Sequence, residues 1–120
     1  MKRKSRNRRR FRPARDWNER REEALKPCAA LGYDRDSLAL YLIERGAYEL
    51  AEGQLRRAIS LNPFEPAFKK HLAFCLYKQE KLAEAREWGR TALDQRDEQD
   101  TRVLLDLIER RLGERQGPHE

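Results

Sequence analysis

The chain is poor in the residues that carry out chemistry. Its 120 residues include two cysteines, two histidines and one methionine. Cys28 and Cys75 stand in different segments without metal-ligand spacing, so neither a disulfide framework nor a zinc site is expected. An intracellular, reducing compartment, most simply the cytoplasm, is therefore expected. No CxxC, HExxH or glycine-rich phosphate loop occurs. His119 sits in a polar tail. His71 has no acid or second histidine one helical turn away, and is read as a packing or surface residue. Cys75 falls at a helix-packing position and is expected to be a small buried hydrophobe. Cys28 has no neighbouring histidine or helix start to activate it. No catalytic centre, metal or cofactor is therefore expected, and the chain is not expected to be an enzyme. No apolar run approaches the roughly 18 residues of a membrane helix, so no transmembrane segment is expected. The basic N-terminus lacks the apolar stretch of a secretory signal and the apolar stripe of a transit peptide.

Acid is missing from one place in particular. Residues 1–15 hold nine cations, Lys2, Arg3, Lys4, Arg6, Arg8, Arg9, Arg10, Arg12 and Arg15, and no Asp or Glu. The other residues, 16–120, carry 18 bases against 21 acids, a net of −3, so the overall +6 belongs to the arm. Like charges repel, and Phe11 is the only aromatic group there to offset the entropy of ordering, so residues 1–15 are expected to be a disordered polybasic arm.

What the rest contains is a period. Leu38, Ala39 and Leu42 recur 34 residues later as Leu72, Ala73 and Leu76; Ala51 recurs as Ala85, Ala58 as Ala92, and Ile59 is answered by Leu93. A period of this length marks stacked helical hairpins. Residues 16–33 form a short N-terminal helical segment, capped by Asp16, carrying Trp17, Arg21, Ala24 and Leu25, and stopped by Pro27, with a turn signal at Gly32. Residues 34–97 make two helix–turn–helix units. Gly46 ends the first helix, and Tyr48 to Leu61 form the second until Asn62-Pro63. Pro66 opens the third, residues 78–81 turn, and the fourth spans about Leu82 to Gln95. Residues 98–113 are expected to be a capping helix with Val103, Leu104, Leu107, Ile108 and Leu112 inward, and Glu109, Arg110, Arg111 and Glu114 in water. Residues 114–120 follow as a tail. The expected fold class is all-α: a helical-repeat array of two units and a C-terminal cap, preceded by the basic arm.

These residues resemble the tetratricopeptide repeat, whose 34-residue pattern is W-x2-L-G-x2-Y, A-x3-F and P. The first unit offers Leu38-Ala39, Leu42, Ala51, Leu55, Ala58 and Pro63; the second offers Leu72-Ala73, Leu76, Ala85, Gly89 and Ala92. The small residues let paired helices approach closely. Arg35 and Lys69 replace the pattern's tryptophan, Asp97 replaces the second proline, and Gly89 replaces a large residue, with Trp88 beside it as the expected compensation. Residues 16–31 are expected to supply a degenerate half-unit, since Ala24 and Leu25 lie 34 before Ala58 and Ile59.

The resemblance implies a concave groove lined by the first helix of each pair. It would contain Asp36, Leu40, Ile43 and Glu44 from one unit and Lys70, Phe74, Tyr77 and Lys78 from the next. Such a surface suits an amphipathic helix or extended peptide with apolar anchors. The alternative is that Leu40, Ile43, Phe74 and Tyr77 are core, covered by residues 16–31. A carboxylate clamp of the kind found in one subgroup is not expected, because Asp36 and Leu40 stand where a cation and an amide would be needed. The expected function is protein–protein interaction, as an adaptor or assembly subunit. The competing reading is an RNA- or ribonucleoprotein-associated factor held by the arm, since a polycation binds any polyanion through counterion release. Anionic lipid, nuclear import and a solvated tail are further readings of the same run. The oligomeric state is open, with end-to-end stacking through the Trp17 segment or the last helix as one route.

Overall fold

The computed structural model describes residues 31–116. Within them are five helices and no strand: α1 Tyr33–Glu44, α2 Tyr48–Leu61, α3 Pro66–Lys78, α4 Leu82–Gln95 and α5 Gln99–Gln116. The arm, and residues 16–30 of the 16–33 segment expected from the sequence, lie outside the described residues.

Local sequence explains each boundary. Gly32 precedes α1 with φ +92; a Cβ there would fall 2.8 Å from Phe68 Cε2 and 3.0 Å from the Ala58 carbonyl oxygen. Both the left-handed backbone and the close approach demand glycine. Asp34 and Asp36 follow in the first turn of α1, where negative charge is favoured by the helix dipole. Pro66 opens α3, whose Glu65 cap accepts a hydrogen bond from the Ala67 amide at 3.0 Å.

Two turns 34 residues apart share a backbone conformation. Gly46 and Glu80 both have positive φ, +79 and +65. The next residues, Ala47 and Lys81, have φ/ψ of −89/68 and −90/70 and are the N-caps of α2 and α4. The Ala47 amide donates to Leu42 O and the Lys81 amide to Leu76 O, each at 2.9 Å. The two hairpins are thus built alike, although only the first has glycine at the left-handed position.

Each helix packs on its neighbours in sequence, and α3 also touches α1 and α5. Ala39, Ala51, Ala58, Ala73, Ala85 and Ala92 are all buried. Ala39, Ala51, Ala73 and Ala85 form one core cluster with Leu55, Leu72, Cys75, Leu76, Leu104 and Ile108, and Phe68 is buried as well. Short side chains at the crossings leave no bulk to hold the helices apart.

Three expectations need correction. The capping helix continues through Gly113 to Gln116, since a glycine within a helix costs only about 1 kcal/mol. Its buried stripe is Thr101, Leu104, Leu105 and Ile108, whereas Val103 and Leu107 are 48% and 39% exposed. That stripe follows Lys69, Leu72, Ala73 and Leu76 by 32 residues, two fewer than the period; one of the two is lost in the connection at 96–98, which has three residues against four at 62–65. The space at Gly89 is filled by Leu105 of α5, not by Trp88 on the same helix. A Cβ on Gly89 would stand 3.1 Å from Leu105 Cδ2.

Candidate partner groove

The first helices of the two hairpins, α1 and α3, lie side by side and are bridged by a hydrogen bond. His71 Nδ1 of α3 stands 2.7 Å from Asp36 Oδ1 of α1. A carboxylate can only accept, so Nδ1 is the donor in this pair. The sequence reading missed this pair because the residues are 35 apart. The repeat contains the signal: Asp36 and Lys70 occupy matching positions, so His71 is one residue from Asp36's counterpart.

Below that bridge the apolar strip begins. Leu40 is 40% exposed. Ile43, Phe74 and Tyr77 are half-buried, with one side against the core cluster and the other open. They are therefore neither wholly core nor wholly free. Tyr48, at the start of α2, meets Phe74 edge-to-face with centroids 6.3 Å apart. The Lys78 ammonium stands 5.9 Å from the Phe74 centroid and 6.0 Å from that of Tyr48, a cation–π arrangement. Next to Tyr48 is an open recess of about 340 Å³ lined by Gly46, Ala47, Tyr48, Glu49, Leu50 and Gln79. Periodicity gave no sign of Tyr48, since its counterpart Leu82 is buried.

The charged groups expected in the groove differ in their freedom. Lys70 is engaged, its ammonium 3.3 Å from Glu98 and 3.4 Å from Asp100. Asp36 is held by His71. Glu44 and Lys78 are exposed at one end of the strip. Beyond Lys70, Arg96 pairs with both Glu98 and Glu65, and Tyr33 donates its hydroxyl to Glu65. That bond raises the Tyr33 pKa. Burial pushes Glu65 up, but the Tyr33 and Ala67 donors and the Arg96 charge outweigh it and hold the carboxyl below its usual range. This network ties the linkers before α3 and α5 to the helices beside them.

A second hub joins the hairpins. Glu52 of α2 accepts from Gln79 Nε2 at 2.9 Å and pairs with Arg56 at 2.8 Å and Lys81 at 3.3 Å. Burial opposes its charge, yet these donors prevail and lower its pKa. Lys69, at the pattern's tryptophan position, is buried and donates to Pro63 O and Gln95 Oε1 at 3.0 and 2.8 Å. Burial alone lowers its pKa. Burial pushes the Cys75 thiol up to about 12, which leaves it unreactive.

Among the described residues no group of three or more histidine, cysteine or acidic side chains is placed to hold a metal ion. No described helix is long and apolar enough to cross a membrane. The nine cations of residues 1–15 lie outside the described residues. The chain matches no protein-family model, no curated protein and no solved structure.

Proposed function

We propose that this chain is a non-catalytic protein–protein interaction module of the tetratricopeptide-repeat type, acting as an adaptor or assembly subunit. Its partner offers a helix or extended peptide to the groove of α1 and α3. The observation that supports this reading is the strip of Leu40, Ile43, Phe74 and Tyr77. Ile43, Phe74 and Tyr77 pack against the core on one side and are open on the other, Leu40 is exposed, and Tyr48, which meets Phe74, borders the recess. Anchor side chains of a partner bury against such a rooted strip at small entropic cost, because its rings are already fixed by packing. Charge at the Glu44 and Lys78 end sets the direction in which a peptide lies. The engagement of Lys70 by Glu98 and Asp100 argues against a carboxylate clamp.

The second reading is an RNA- or ribonucleoprotein-associated factor, and it rests on the nine cations in fifteen residues. A pull-down separates the two, using the full chain, the chain without residues 1–15, and a Phe74→Ala/Tyr77→Ala variant, each with and without nuclease. Groove binding survives arm deletion and nuclease but is lost in the double variant. Leu40→Glu, at an exposed position, should repeat that loss without touching the core. Loss on arm deletion or nuclease treatment, with the groove variants still binding, overturns the first reading.

A further inference from the structure

We propose that residues 16–27 of this chain cover the outer face of α1, standing to α1 as α2 stands to α3. The starting observation is an inequality between matched positions. Leu72, Cys75 and Leu76 of α3 are fully buried. Their counterparts 34 residues earlier are Leu38, Tyr41 and Leu42. Leu38 and Tyr41 are 44% and 51% exposed, and Leu42 is half-buried. The hairpins are otherwise alike down to their turn dihedrals. What differs is the neighbour: α3 has α2 packed before it, whereas α1 is the first described helix.

The sequence holds a segment of the right length in the right place. Thirty-four residues before α2 come residues 14–27, with Trp17, Ala24 and Leu25 at the positions of Ala51, Ala58 and Ile59. Ala51 and Ala58 are buried in α2. The link from residue 27 to Tyr33 is five residues, against four between α2 and α3. Five residues reach up to about 17 Å when extended, more than the 8–10 Å between packed helices. The point of entry is also fixed. Gly32 is wedged against Phe68 and the Ala58 carbonyl, so the chain arrives at the foot of α1 beside the end of α2.

The face in question is distinct from the groove. Leu38, Tyr41 and Leu42 follow one i, i+3, i+4 stripe of α1, whereas Asp36, Leu40, Ile43 and Glu44 follow another. A segment seated on Leu38 therefore leaves Leu40 and Phe74 free for a partner. It also anchors the polybasic arm at the α1 end of the array.

Tryptophan fluorescence tests this directly, because the chain has only Trp17 and Trp88. In a Trp88→Phe chain, native Trp17 emission should be blue-shifted from that of the urea-unfolded chain, with acrylamide quenching several-fold weaker. Adding Leu38→Arg should return both readings to the unfolded values, and Leu38→Ala should move them part of the way. Leu40→Arg should leave them unchanged. Leu38 and Leu40 are both substantially exposed, and circular dichroism verifies that the helices persist. Native emission equal to that in urea overturns the proposal. So does a response to Leu40→Arg in place of Leu38→Arg, which would put the segment in the groove. Shielding that vanishes on dilution, with a dimer in sedimentation, would assign the face to a second copy and likewise overturn it.

Discussion

The contact between Gly89 and Leu105 offers a sharp energetic test of how the last helix is held. Leu105 is buried and occupies the space that the first hairpin gives to Leu55, the residue matching Gly89. Leu105→Ala removes three carbon groups, worth about 2.4 kcal/mol at roughly 0.8 kcal/mol each. Gly89 has no side chain with which to refill the gap, so a cavity contribution adds to this, and about 3–4 kcal/mol is expected. For a domain of this size each kcal/mol lowers Tm by about 4–8 °C, so a fall of more than about 12 °C should be measured. Gly89→Leu alone forces a leucine into occupied space. The overpacking costs about 1–3 kcal/mol, offset by up to about 1 kcal/mol from replacing a helical glycine. The double variant Gly89→Leu/Leu105→Ala moves the leucine from α5 to α4 and should recover at least about 1 kcal/mol relative to additivity. Urea denaturation of the four proteins supplies the cycle. Simple addition of the two single effects would refute the idea that one side chain fills the other's vacancy.

The left-handed turn positions should respond with opposite sign. Gly46→Ala should destabilise by about 1 kcal/mol through backbone strain alone, since nothing lies within 4 Å of its Cβ position. Glu80→Gly relieves the same strain, less the small contribution of its exposed pairs with Arg111 and Arg115, and should not destabilise; urea midpoints compare the two. Glu52, with its folded pKa lowered, contributes stability in full above its unfolded value of about 4.3 and loses it as pH falls through the folded value. Glu52→Gln should thus be less stable than the parent at neutral pH, and the two urea-midpoint curves should converge in acid. In a Cys28→Ser chain, Cys75 should resist a disulfide reagent until urea unfolds the protein, consistent with burial and a pKa of about 12; rapid reaction in the folded state would contradict the packing.

Much of the helical layout was legible because punctuation and period agree. Gly46, Asn62-Pro63 and Pro66 mark backbone positions that only certain residues satisfy, and the alanines at 39, 51, 58, 73, 85 and 92 mark crossings. The inward stripe of α5 was less legible: Val103 and Leu107 are exposed and Leu105 is buried because Leu105 fills the space at Gly89 of α4, a contact between helices that no single-helix pattern contains. Glu80 hides a left-handed turn because its side chain gives no hint of it; only the matching Gly46 does. The expectation that Leu40, Ile43, Phe74 and Tyr77 line a groove comes from the resemblance alone; the structure shows Leu40 exposed and the other three half-buried. Tyr48 and the Asp36–His71 bridge arise from packing between helices far apart in sequence, which local periodicity does not encode.

The central claim is that the strip on α1 and α3 is a docking surface. Selection of a random displayed-peptide library against the full chain, followed by hydrogen-exchange footprinting of the selected complex, tests it most directly. The account predicts peptides with spaced apolar anchors, protection on α1 around Leu40 and Ile43 and on α3 around Phe74 and Tyr77, and loss of binding in Leu40→Glu. Selected peptides that protect some other surface, or that bind the Leu40→Glu chain equally well, would contradict it.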